Sequence, residues 1–146
     1  MDLTQLMLIL ATVAGVVDGE TIRAQNINGE AATIKLACID IPNGKYHQDA
    51  ATQSLKKFLP KETPVVIRFA DTYRNDQIIG EVFLDNQSIN LQMVKEGKAF
   101  VDKLAVEEDC YENRTQYLVA EANAKQRGLG LWEESKYVMN RNRRNR

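Results

Sequence analysis

The sequence predicts one mainly β domain of the α+β class, a small closed barrel of five strands carrying about three helices. Three observations predict it. At 146 residues the chain is long enough for one buried core and short for two. Its 44% apolar and 27% charged residues suit a folded globular chain and are too apolar for disorder. Short β-branched or alternating runs, each closed by turn residues, outnumber the helical patterns.

In chain order, residues 6–17 (LMLILATVAGVV) form an uncharged apolar run. It leads into Asp18-Gly19 and then the alternation Thr21, Ile22, Arg23, Ala24, the pattern of a hairpin whose first arm is a buried strand. A secretory leader would place lysine or arginine ahead of such a run, and here the charge ahead of it is Asp2. A cytoplasmic location is therefore expected, with an exported mature form as the alternative.

A third strand follows Asn28-Gly29 over residues 32–39, with Ile34, Leu36 and Cys38 on one face and Thr33, Lys35 and Ala37 on the other. Pro42-Asn43-Gly44 ends it and opens a loop that holds His47, expected to be an exposed residue at a helix start. Ala51, Leu55, Phe58 and Leu59 make one apolar stripe of a helix that Pro60 stops. Residues 64–69 (PVVIRF) read as a fourth strand, and residues 78–84 (IIGEVFL) as a fifth with Asp85-Asn86 as its turn. Asn90 is expected to cap a short helix (LQMVKE) ended by Gly97. The last helix spans about residues 113–127 and closes at Gly128 and Gly130, before Leu131 and Trp132. The chain thus divides into a lead-in at 1–10, a domain at 11–133 and a tail at 134–146 without apolar period, expected to be disordered.

Composition excludes several kinds of chemistry. No apolar run approaches the roughly 18 to 20 residues of a membrane-spanning helix. Two cysteines and one histidine cannot make a disulfide-rich scaffold, a four-cysteine zinc site or the usual zinc triads. A serine–histidine or cysteine–histidine enzyme would have to rest on His47 alone. Cys38 reads as a small core hydrophobe, and the acids before Cys110 raise its thiol rather than activate it; in an exported chain the two could pair.

The net charge of −1 hides an asymmetry. Residues 136–146 carry five basic side chains and no acid, so the first 135 keep 14 basic against 20 acidic residues. Arg141, Arg143, Arg144 and Arg146 make the tail a polybasic arm for nucleic acid, an anionic membrane surface or an acidic protein partner; the alternative is a solubilising end with no partner.

Four blocks in order resemble the thermonuclease (staphylococcal-nuclease-like) family. They are ATVAGVVDGETIR at 11–23, TIKLACIDIP at 33–42, IIGEVFLDNQSINLQMVKEGKAFV at 78–101 and YLVAEANAKQRGLGLW at 117–132. The resemblance implies an OB-fold barrel of five strands with three helices. It also implies calcium-dependent cleavage of phosphodiesters by in-line attack of water. That chemistry needs a hard cation on a phosphate oxygen, a base for the water and cationic clamps for the growing charge.

Carried over residue by residue, the metal carboxylates fall on Glu20, one methylene longer than the family's aspartate, and on Asp40, with the Ile41 carbonyl as a further oxygen. A Ca2+ site is open to these two; otherwise they satisfy turn backbone groups. The first clamp falls on Lys35, which keeps the charge without the planar fork of arginine. The base falls on Asn43, an amide that accepts no proton at neutral pH. The second clamp falls on neutral Gln77 in an ungapped alignment; a two-residue insertion would instead put Tyr73 on the family's tyrosine and leave Arg74 as a surrogate clamp. No aromatic residue remains at 101–105 to stack on a base, and the acids Glu107, Glu108, Asp109 and Glu112 follow. The expected function is a domain of this fold with impaired catalysis, used in binding or assembly with a protein or nucleic acid. The alternative is a divergent calcium-dependent nuclease of low activity.

Overall fold

The computed structural model describes residues 7–72 and 77–133. The first strand, β1 (Leu8–Asp18), is the longest, and it serves two neighbours. Its N-terminal half pairs antiparallel with β5 (Pro64–Thr72), Leu8 opposite Arg68 and Thr12 opposite Pro64. From Ala11 onward it pairs with β2 (Thr21–Asn26). The register shifts at Val13/Gly15 and again at Val16/Asp18, and such bulges bend a strand around a barrel. Residues 8–17 of the run that the sequence marks as a strand do lie in one, but it is buried on alternate positions only: Ala11 and Val13 face inward, while Leu8 and Leu10 are exposed.

Strand β3 (Ala31–Leu36) pairs with β2, and β6 (Ile78–Leu84) pairs with β5. A parallel pairing of β3 with β6, Lys35 opposite Ile79, closes the five-stranded barrel. Val13, Ile22, Ala24, Ile34, Leu36, Ile67 and Val82 fill it. The Asp85-Asn86 turn leads into the short extra strand β7 (Gln87–Ser88); both turn residues take positive φ, 50° and 66°, as a two-residue hairpin loop requires.

Helix α1 (Lys45–Phe58) packs its Ala51 and Leu55 against the barrel, with Leu59 buried just past its end and Pro60 beyond. His47 lies in the first turn of α1, partly buried, its ring edge-on to Tyr46. Gly19 in the β1–β2 turn touches α1 so closely that an added Cβ would lie 2.4 Å from the Ala51 Cβ. Only glycine fits there, and this contact seats the turn that carries Glu20.

Among the described residues three further helices follow, one more than the sequence pattern predicts in all. They are α2 (Ile89–Lys95), α3 (Lys103–Asp109) and α4 (Arg114–Arg127). Two corrections concern residues near them. Asn90 does not cap α2: the Ser88 hydroxyl accepts from the Leu91 amide, and Asn90 is buried. The third strand ends at Leu36 rather than Ile39. Ala37 and Cys38 turn the chain, with Cys38 at φ 74°, before β4 (Ile39–Asp40) pairs with β8 (Phe100–Val101). Both Ala37 and Cys38 are buried, so the expected outward face for Ala37 does not exist.

Cys38 and Cys110 form a disulfide with their Cα atoms 6.5 Å apart, joining the β3–β4 turn to the residue that ends α3. The reading of each as a free thiol is thereby replaced. No helix among the described residues is long and apolar enough to cross a membrane. Tyr73, Arg74 and the tail arginines Arg141, Arg143, Arg144 and Arg146 lie outside the described residues.

Candidate functional site

Glu20 is placed by the backbone around it. Its amide donates to Asp18 Oδ1 at 2.9 Å, and its carbonyl accepts from the Leu36 amide at 2.7 Å. The next residue, Thr21, pairs with Lys35 across the β2–β3 ladder. The Glu20 carboxylate therefore meets the Lys35 ammonium, with Oε2 3.7 Å from Nζ. Asp40 approaches from β4 closely enough for its charge to act on the Glu20 carboxyl, while its Oδ1 accepts from the Ile41 amide at 2.8 Å.

Burial pushes the Glu20 carboxyl above the ordinary glutamate range. Lys35 pulls it back, and the negative charges of Asp40 and Asp18 push it up again. Its Oε2 is buried and accepts no hydrogen bond. A crowded carboxylate pair with one oxygen unused is short of a positive partner, and Lys35 meets only part of that need. These residues fit a divalent cation held by Glu20 and Asp40. Among the described residues no group of three or more His, Cys, Asp or Glu is spaced to hold a metal. A cation here would complete its shell with water and phosphate oxygens, a habit of hard cations on one or two carboxylates.

The other expected positions are less well gathered. Gln77 is partly buried just before β6. The parallel ladder sets Lys35 opposite Ile79 and begins at Ile78, one residue after Gln77. Asn43 is exposed in the loop before α1 and, among the described residues, makes no hydrogen bond with Glu20, Lys35 or Asp40.

Residues to which the sequence reading gave no site role line a recess that includes Asp40. Phe100, Lys103, Glu121, Lys125 and Trp132 share it. The buried Glu121 carboxylate accepts from the Val101 amide at 2.6 Å and from Lys103, with Lys125 Nζ 3.7 Å away. Burial alone would raise this carboxyl; the Lys103 and Val101 hydrogen bonds and the two ammonium charges hold it below its ordinary range. Lys125 also stands 4.7 Å over the Trp132 ring. Aromatic surface thus returns beside Asp40 from Phe100 and Trp132, although positions 101–105 have none. The pairing of Asp40 with Phe100 is the signal, and it exists only in the folded chain.

A family model described as "Staphylococcal nuclease homologue" matches residues 33–134. The chain belongs to that family. It is similar to an "uncharacterized endonuclease" of Haemophilus influenzae, 30% identical over 128 residues, which cover 84% of this chain and 66% of that protein. It is also similar to "Endonuclease YncB" of Bacillus subtilis, 28% identical over 152 residues, covering 94% of this chain and 68% of that one. An "uncharacterized endonuclease" of Escherichia coli is 27% identical over 124 residues, covering 84% and 76%. The chain spans about two thirds of the length of the first two relatives. The match spans Lys35, Asp40, Asn43 and Gln77 and begins after Glu20.

Proposed function

We propose that this nuclease-family domain binds nucleic acid at the Glu20–Asp40–Lys35 cluster with the help of a divalent cation, and that its hydrolytic step is strongly slowed. The observation that carries the reading is the buried Glu20 Oε2, which accepts no hydrogen bond, lies 3.7 Å from Lys35 Nζ and feels the Asp40 charge. Glu20 and Asp40 would hold the cation, Ca2+ by family resemblance, and a bound cation supplies Lewis-acid stabilisation of a phosphate oxygen. Lys35 offers a phosphate a point charge rather than a two-pronged grip. The exposed Asn43 amide takes no proton from water, and neutral Gln77 leaves charge on the phosphate unbalanced. Phe100 and Trp132 offer aromatic surface to a neighbouring base. The endonuclease names of the relatives support a nucleic-acid substrate.

The arginine tail adds a second, sequence-independent hold on phosphates in this reading. The Cys38–Cys110 bridge favours the exported alternative over the cytoplasmic one, because disulfides persist in oxidising compartments.

The test incubates purified protein with single-stranded DNA and RNA, with calcium or with chelator. The expected result is calcium-strengthened retention with slow cleavage, both lost on Asp40→Ala. Brisk calcium-driven cleavage overturns the impairment. Retention indifferent to calcium and lost on removing residues 141–146 moves binding to the tail. Neither retention nor cleavage leaves assembly with a protein partner as the reading.

A further inference from the structure

The β3–β4 turn that delivers Asp40 is held from three sides. The Ala37 amide donates to the Gly80 carbonyl of β6 at 2.8 Å, and Asn90 Nδ2 donates to the Ala37 carbonyl at 2.9 Å. The third side is α3 and the residues that lead into it. The Asp102 amide donates to the Cys38 carbonyl at 3.0 Å, and β8 pairs Val101 with Ile39.

Yet α3 is itself weakly fixed. Within it only Val106 is buried, and Leu104 is 72% exposed. Its side chains make two ion pairs with partly exposed members, Lys103 with Glu121 and Glu107 with Arg114 at 3.5 Å, and its far end is tied down by Arg68, which donates to the Asp109 carbonyl at 2.7 Å, and by the bond from Cys110 to Cys38. A short helix with one buried side chain has little packing of its own to keep it docked. The bridge is therefore the one covalent anchor at the far end of α3, and it runs to the residue two before Asp40.

We propose that the Cys38–Cys110 disulfide is a redox latch: oxidised, it keeps α3 docked and the Asp40 turn ordered, and reduction by a dithiol releases both. In that step one thiolate of the dithiol attacks a bridge sulfur and forms a mixed disulfide. Its second thiol then closes the reductant's own ring, and Cys38 and Cys110 leave as two thiols. Two electrons and two protons pass from reductant to protein. Both cysteines are at most 3% exposed, so the reductant meets them only when α3 lifts, which makes opening of the helix the gate for its own release. The latch acts on conformation and stands whether or not the site cleaves nucleic acid.

Amide hydrogen exchange on the full chain tests it, comparing air-oxidised protein, protein treated with dithiothreitol, and the variant Cys38→Ala/Cys110→Ala. Reduction is expected to speed exchange at least tenfold in residues 37–41 and 103–110 while leaving β1 and β5 unchanged. The double variant should show the reduced pattern with or without dithiothreitol. Three results overturn the latch: no change in those two segments on reduction; an acceleration that spreads equally into β1 and β5, which would make the bridge a general staple; or two alkylatable thiols in the air-oxidised protein. Should the double variant fail to fold, the comparison of oxidised with reduced wild type decides alone.

Discussion

Lys35 Nζ stands 3.7 Å from Glu20 Oε2, with the two side chains 30% and 19% exposed, so an ion pair faces partly into protein without a hydrogen bond to close it. The Glu20 carboxyl is raised above its ordinary value of 4.5, chiefly by burial. A group raised in this way binds its proton more readily folded than unfolded. Its contribution to stability is complete below 4.5 and is lost as the pH climbs through the folded-state value. Stability of the wild type relative to Glu20→Gln is therefore expected to fall over that window in chelator, and calcium should restore it at neutral pH. Urea unfolding of both proteins across a pH series checks this; a difference that stays flat from about pH 4 to pH 8 refutes it.

If positions 43 and 77 are where the reaction was lost, refilling them should bring it back. Asn43→Glu is expected to raise calcium-dependent cleavage of single-stranded DNA by about 10²–10⁴-fold, the usual worth of a general base. Gln77→Arg should add about 10²–10³-fold, as a single charge-stabilising donor does. The pair together should fall short of the product, since members of one catalytic unit are not additive. Single-turnover rates on end-labelled strands measure it. Rates that stay at the wild-type level in all three variants would mean that these positions do not face the scissile phosphate.

What the sequence made legible was local. The Asp18-Gly19 and Asp85-Asn86 turns, the Ile34/Leu36 alternation and the α1 stripe each repeat within a few residues, so periodicity finds them. Lys35 and Glu20 were brought together by the family resemblance alone; the register that sets Thr21 opposite Lys35 belongs to the folded hairpin. Helix α3 gave no stripe to find, because within it only Val106 is buried; the one available sign was Asp102, whose side chain accepts from the Ala105 amide at 3.0 Å. Ser88 and Asn90 are both good cap residues, and which one caps α2 is settled by burial of Asn90 rather than by type. The bridge between Cys38 and Cys110, 72 residues apart, and the Asp40–Trp132 recess depend on how helices dock onto the barrel, which no local pattern records.

Glu81 is a carboxylate buried to 1% exposure, so its partners should matter unequally. Arg68 Nη2 sits 3.1 Å from its Oε1, and Tyr117, Ser88 and Asn113 donate to Oε2 at 2.5, 2.7 and 3.0 Å. Burial, then the neighbouring Glu81 charge, drives the Tyr117 hydroxyl far above the usual tyrosine range, so it remains a donor at any working pH. Tyr117→Phe removes one hydrogen bond to a charged group and is expected to cost about 1.5–3 kcal/mol. Arg68→Met leaves the charge without its counter-ion and should cost more, about 3–5 kcal/mol. Urea midpoints rank them; equal losses would show that Arg68 is not the principal partner of Glu81.

Asn90, fully buried, joins β6 to the turn that leads from β3 to Asp40. Its Oδ1 accepts from the Val82 amide at 3.0 Å, and its Nδ2 donates to the carbonyls of Ala37 and Gly80 at 2.9 and 3.1 Å. Ala37 opens the turn toward Asp40, and Gly80 lies opposite Leu36 on the parallel ladder next to Lys35. Asn90→Leu leaves one amide and weakens two carbonyls in a place water does not reach, at about 1–3 kcal/mol for a stranded group. Asn90→Asp keeps the acceptor, strips the two donors and adds a buried charge, so it should be the worse of the two despite its closer shape. Both are expected to weaken calcium binding as well as folding, because the lost bonds fix the turn that aims Asp40. Calorimetric titration with calcium under conditions where each variant is still folded separates the effects. Wild-type affinity in a destabilised Asn90→Leu would show that the turn holds its position without this side chain.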